Sequence, residues 1–153
     1  MRALALTAGL LAATACPAWA QPATAVVLRP PTDAPVHAPY GPRENPITKA
    51  RSTHAGIDYA TTKGAPVLAP ADGEVVYAGW YGGYGRVVML DHGGELVTLL
   101  GHLDRALVKM GQIVKAGDRI ATAGATGMAP VPQTHFEVRR RGQAVDPAAY
   151  LSK

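Results

Sequence analysis

The chain has 153 residues, with 15 Lys+Arg against 11 Asp+Glu, a net charge of +4 at neutral pH and one cysteine. That length holds one domain and is short for two. A lone cysteine excludes an internal disulfide framework and a cysteine-based metal site, and the basic residues, with no aromatic interleaving, give no basis for nucleic-acid binding.

Residues 1–20 are expected to be an export signal rather than part of the fold. Arg2 supplies a thin positive start, Ala3 to Ala15 is an almost unbroken apolar run, and Ala18-Trp19-Ala20 is a small-residue cleavage pattern ahead of Gln21. The run is too short to span a bilayer as a permanent anchor. Cleavage after Ala20 would remove Cys16, the only thiol. A second reading takes Ala13-Thr14-Ala15-Cys16 as a lipoprotein signal that leaves Cys16 acylated. Either way the expected destination is outside the cytoplasm, periplasmic or associated with the cell wall. The remaining mild excess of basic residues suits an anionic wall polymer or membrane surface by long-range attraction.

Residues 21–46 contain Pro30, Pro31, Pro35, Pro39, Pro42 and Pro46 and show no apolar period. They are expected to be an extended lead-in to a domain over residues 47–153. His37 falls in this segment and reads as a tail residue. Beyond it, short β-branched runs are punctuated by glycine. Strands are predicted around Pro66–Ala69, Gly73–Gly79, Arg86–Leu90, Glu95–Leu100, Gly111–Val114, Asp118–Thr122 and Thr134–Arg139. With no helical period after the signal, the expected fold is all-β, a mostly antiparallel two-sheet open sandwich or barrel. Gly64-Ala-Pro-Val-Leu-Ala69 and Gly111-Gln-Ile-Val-Lys-Ala116 echo one another, which hints at a repeated hairpin.

Three short stretches carry chemistry: His54-Ala-Gly-Ile-Asp58, Gly101-His102, and Gln133-Thr-His135-Phe-Glu137. Side chains alternate along a strand, so Gln133, His135 and Glu137 should share one face, with Phe136 and Val138 on the core side. The same parity places Thr98, Leu100 and His102 together. His54 and Asp58 would lie ~13 Å apart on a straight strand, so joint work by the two requires a bend, for which Gly56 is the obvious place. Two imidazoles and one carboxylate can hold a zinc ion with a position left open, the arrangement of a catalytic rather than a structural site.

From Tyr40 to Leu151 the chain resembles the lysostaphin-type (M23) zinc metallopeptidases. Tyr40-Gly-Pro-Arg-Glu-Asn-Pro46 is similar to the family's G-x-R-x-x-P lead-in, and His54-Ala-Gly-Ile-Asp58 to its H-x-G-x-D motif. Gly73-Glu-Val-Val, Gly82-Gly-Tyr-Gly85, Gly101-His-Leu103, His135-Phe-Glu137 and Val145-Asp-Pro147 follow in family order. The resemblance implies a fold of the duplicated-hybrid-motif type. It implies one zinc per chain on His54, Asp58 and His135, with His102 beside the reacting water as the catalytic imidazole. Peptidoglycan peptide bonds are the implied substrate.

Two positions depart from the family pattern. Gln133 stands where a second catalytic histidine is usual, and Leu100 where a tyrosine is usual. A glutamine amide can contact an oxyanion or a water but cannot shuttle a proton near neutral pH, and losing a general acid–base removes ~10² to 10⁴ in rate. The alternative expectation is therefore a catalytically weak or silent relative that binds the wall and regulates a cell-wall amidase. Glu137 could orient a ligand, and Tyr81 and Tyr84 could wall a groove.

Overall fold

The computed structural model describes residues 26–44 and 47–152. The expected signal, Cys16, Asn45 and Pro46 lie outside the described residues. Twelve strands run in chain order: β1 Val36–Ala38, β2 Gly41–Glu44, β3 Arg51–His54, β4 Ile57–Tyr59, β5 Pro66–Leu68, β6 Gly73–Trp80, β7 Arg86–Asp91, β8 Leu96–Ala106, β9 Ile113–Val114, β10 Arg119–Ala123, β11 Thr134–Arg140 and β12 Gln143–Val145. Ten of them form one open antiparallel network with the path β1-β4-β11-β8-β7-β6-β9. β10 joins through β8, β5 through β10 and β12 through β11, while β2 and β3 form a separate two-stranded ribbon. This is the expected antiparallel all-β architecture, and no closed barrel forms.

Strand β8 links the layers. Its first half pairs with β7 and β11, its last residues with β10. Val88 faces Leu100 and Arg86 faces Leu103, so two steps along β7 match three along β8. One residue is extra, and His102 takes it up in the left-handed region at φ 58°. Such a bulge bends the strand and redirects a side chain, and a left-handed non-glycine residue costs ~1–3 kcal/mol that the surroundings must offset. The parity expected for Leu100 and His102 therefore fails. Leu100 and Leu103 both point into the core with Phe136, Val138, Val88, Leu90 and Ile120, while Gly101 and His102 between them turn to the other side.

The echoed segments correspond to an exchange of strands. β5 pairs with β10 and β9 with β6, so each segment's first strand crosses to the second strand of the other. The two connecting turns are tied together: the Ala69 amide donates to the Asp118 carbonyl at 2.8 Å and the Gly117 amide to the Ala69 carbonyl at 2.9 Å. Asp72 accepts from the Ala116 amide and from Lys115 Nζ, both at 2.9 Å.

The proline-rich lead-in carries two strands that the sequence pattern did not announce. β1 lies between Pro35 and Pro39 and pairs with β4 as the edge strand, the position where missing amide donors are tolerated. Further back, Leu28 is fully buried and bridges Leu151, so the two ends of the described chain lie side by side.

His92 shows how a histidine can be spent on structure. Its Nδ1–H donates to the Asp72 carbonyl at 2.7 Å, and Nε2 accepts from the Thr98 hydroxyl at 2.8 Å. Both partners fit the neutral ring, and burial lowers its pKa from the ordinary 6.5 in spite of the Asp72 carbonyl and the Asp91 and Asp72 charges. The unfolded chain then takes up a proton that the folded chain refuses. Stability should be level in this respect above pH ~6.5 and fall as the pH drops below it. Urea denaturation between pH 7.5 and 5 should show that slope, and His92→Gln should reduce it.

Candidate metal centre

The turn between β3 and β4 is what brings His54 and Asp58 together. A Cβ on Gly56 would lie 2.3 Å from the Phe136 carbonyl oxygen, so only glycine lets the turn press against β11. His54 Nε2 then sits 3.1 Å from Asp58 Oδ1. Register places His135 on β11 directly opposite Asp58 on β4, with Nδ1 at 2.6 Å from the same Oδ1. His54 Nε2 and His135 Nδ1 are 3.3 Å apart. All three side chains are buried, and they are the one group of this kind among the described residues.

The outer partners fix how these rings are protonated. His54 Nδ1 is 2.8 Å from the Pro39 carbonyl, which only accepts, so Nδ1 carries the hydrogen and Nε2 presents a lone pair. His135 Nε2 is 3.1 Å from Glu137 Oε1, again an acceptor, so the neutral ring presents a lone pair at Nδ1. Two imidazole lone pairs and a carboxylate oxygen thus converge on one point. Without a cation that arrangement is repulsive. The three donor atoms lie 2.6–3.3 Å from one another, close enough to share one zinc ion with ligands held ~2.0–2.1 Å from it. The donor set fits a metal.

Charges around the point agree. Burial would raise the Asp58 pKa, but His135, His54 and Arg43 outweigh it and hold the carboxyl well below the usual range. Its second oxygen accepts from Arg43 Nη2 at 3.0 Å. Burial opposes a charge on His135, yet the Asp58 and Glu137 carboxylates prevail and raise its pKa. Positive charge, as a proton or a metal ion, is favoured here. Glu137 is fully buried and also accepts from Arg139 Nε at 2.7 Å, so it anchors His135 rather than sitting in solvent.

His102 lies beside this group, its ring centroid 5.8 Å from that of His135. Nδ1–H donates to the Thr126 carbonyl at 2.8 Å. The Thr126 hydroxyl donates to the Leu103 carbonyl at 2.7 Å and accepts from the Arg86 amide at 3.0 Å, so one threonine braces the bulge and the ring it carries. Burial lowers the His102 pKa, helped by His135 and His54 against the Thr126 and Asp58 contributions, which keeps the ring neutral at pH 7. Gln133 is buried just ahead of β11, its backbone N–H donating to the Gly124 carbonyl at 3.0 Å. Its side chain makes no hydrogen bond among the described residues.

These groups line an open cleft of ≈ 350 Å³, with Tyr84, Met128 and Arg43 at its walls. Tyr84 packs 5.3 Å from the His135 ring, and Tyr81 follows at 5.8 Å from Tyr84. Burial first, then the Glu137 charge, pushes the Tyr84 phenol up to about 12, so it remains a donor. His37 is exposed on β1, and His92 serves the far turn. The sequence reading missed the parts played by Arg43, the Pro39 carbonyl and Thr126. The arginine of the lead-in motif was the only signal for any of them.

An antiparallel β fold carrying a buried His–Asp–His group in an open cleft defines a metallopeptidase-like centre. The profile of peptidase family M23 matches residues 52–147, and the chain belongs to that family. It is 46% identical over 114 residues to an uncharacterized metalloprotease of Haemophilus influenzae, covering 73% of this chain and 24% of that protein. It is 40% identical over 114 residues to the DD-carboxypeptidase/endopeptidase Mpg of Neisseria meningitidis, covering 74% and 26%. Identity is also 40%, over 125 residues, to the murein hydrolase activator NlpD of Salmonella dublin, covering 78% and 33%. The chain thus spans about a quarter to a third of the length of these relatives. Among solved structures, a zinc-containing peptidase from Vibrio cholerae superposes with a TM-score of 0.74 at 38% identity, covering 80% of this chain and 39% of that one. The catalytic domain of lysostaphin from Staphylococcus simulans gives 0.69 at 32% identity, covering 76% and 91%. Among the described residues, no helix is long and apolar enough to cross a membrane.

Proposed function

We propose that the protein is an exported zinc metallopeptidase that hydrolyses peptide bonds in the stems or cross-links of peptidoglycan. The observation that carries this reading is the convergence of three donor atoms, from His54, Asp58 and His135, with both imidazole tautomers set by outer acceptors. These three side chains would hold one zinc ion per chain; borderline-soft imidazole with one carboxylate suits zinc. A zinc ion there supplies Lewis-acid polarisation of a peptide carbonyl and acidifies water near neutral pH. His102, neutral and fixed through Nδ1, presents Nε2 to the cleft, where it orients the attacking water, accepts its proton and returns it to the leaving amine. The Gln133 amide N–H is free to donate to the oxygen on which negative charge develops. The signal-like first 20 residues, and relatives named as a murein hydrolase activator and as lipoproteins, support an envelope location.

Glu137 has a positioning role in this reading. Glu137→Gln removes the charge that holds His135 in its tautomer and should weaken zinc binding by ~10-fold or more, read by competition with a chromophoric chelator. Unchanged affinity would reduce Glu137 to a packing residue.

One observation favours a second reading. Gln133 cannot shuttle a proton, and a relative in Salmonella dublin is named a murein hydrolase activator, which fits a wall-binding protein that regulates amidases. The complete donor set favours the peptidase. Digestion of purified peptidoglycan by the zinc-loaded protein, read by mass spectrometry, separates the two. New peptide ends that disappear with chelator support the peptidase; no new ends, but faster release of stems by an added amidase, support the regulator.

A further inference from the structure

The cleft carries one charge that the proposed chemistry does not use. Arg43, on the β2–β3 ribbon, gives Nη2 to Asp58 Oδ2 at 3.0 Å while 43% of its side chain stays exposed. Its guanidinium makes no other hydrogen bond or ion pair among the described residues. Glu44, the next residue, faces the other way along the strand, 3.5 Å from Lys49 Nζ and 3.7 Å from Arg51 Nε, and does not neutralise it. Among the described residues Asp58 is the only acidic side chain lining the cleft, and both of its oxygens are engaged. Arg43 is the one permanently charged cation on Asp58 among the described residues, so a metal ion at the donor triangle would leave the open side of the cleft positive.

Building on the peptidase reading, we infer that Arg43 is a specificity residue that binds a free carboxylate of the substrate close to the scissile bond. Oδ1 of Asp58 faces the metal position and Oδ2 faces the guanidinium. A single carboxylate group therefore separates the cation from the reacting centre, a span of about one to two residues at ~3.5 Å per residue along an extended peptide. The planar fork that holds Asp58 by one nitrogen has further N–H donors for a second carboxylate, a geometry that lysine does not reproduce. The substrate class is an anionic peptide stem whose carboxylate lies about one to two residues beyond the bond cut. Neutral or amidated peptides are disfavoured, and cationic ones are repelled.

The test uses zinc-loaded protein and a stem peptide ending in D-alanyl-D-alanine, offered as the free acid and as the C-terminal amide. Hydrolysis is followed by mass spectrometry and binding by calorimetry. A charge-assisted bond of this kind should favour the acid ~10- to 100-fold in kcat/KM, mostly through KM. Arg43→Gln should bring the ratio of acid to amide to about 1, and Arg43→Lys should keep only part of it. Zinc content is measured in each variant, because a role limited to steadying Asp58 would lower rates for both peptides and leave the ratio unchanged. Equal kcat/KM for acid and amide in the unaltered protein, or a ratio that survives Arg43→Gln, overturns the inference. If neither peptide is cleaved, the terminal stem bond is not the one cut, and the peptidase reading is judged by the digestion of whole peptidoglycan. Calorimetry then decides the inference separately: tighter binding of the acid upholds it, and equal or absent binding overturns it.

Discussion

His135→Ala should abolish stoichiometric zinc binding while the β fold persists. The ring supplies one of three donors and is also the group through which Glu137 stiffens the site. Losing a supporting hydrogen bond alone removes ~10 to 100-fold in metal affinity, so losing the donor itself should cost well beyond that. His54→Ala should behave alike, because the Pro39 carbonyl would have nothing left to orient. Metal analysis after dialysis, with circular dichroism as the control on folding, reads the result. Full metal retention in both folded variants would mean that the triangle is not the binding site.

His102→Ala carries the second large effect, of opposite character. The ring touches none of the three donors by hydrogen bond and is held from outside through Thr126, so zinc content should stay at one per chain. The rate on peptidoglycan should drop by ~10² to 10⁴, the usual cost of a lost general acid–base. With Gln133 unable to exchange protons, no second group among the described residues is placed to compensate, which puts the expected loss at the upper end of that range. The drop should appear in kcat. Loss of metal in this variant, or an unchanged rate, would remove His102 from the chemistry.

Much of the site was legible because period-two alternation is a strong rule where one face is core. Phe136 and Val138 fill the interior, so His135 and Glu137 had to face away together, and they do. The need for a bend at Gly56 was equally legible, because a straight strand cannot bring positions 54 and 58 within reach of one ion. His102 was assigned to the wrong face because alternation fails at a bulge. Nothing in Leu100-Gly101-His102-Leu103 marks which residue will be the extra one. Contacts set by long sequence separation were not legible either. Arg43 on Asp58 and Thr126 under His102 depend on how the ribbon and the 126 turn fold back. The strand β1 was hidden by the prolines that confine it to a sheet edge, and the depth of Leu28 by a short segment with no pattern of its own. The echo between residues 64–69 and 111–116 did announce a real relation, although its form, an exchange of strands, could not be read from similarity alone.

Zinc-edge X-ray absorption of the zinc-loaded protein tests the central claim most directly, because it counts the donors and reads the open position together. The account predicts a first shell of two imidazole nitrogens and one carboxylate oxygen at ~2.0–2.2 Å, plus one light atom that a hydroxamate or thiolate inhibitor replaces. In His135→Ala that shell should be lost. A closed shell of four protein donors that no inhibitor perturbs, or a shell unchanged in His135→Ala, would contradict the assignment of His54, Asp58 and His135 to an open catalytic zinc site.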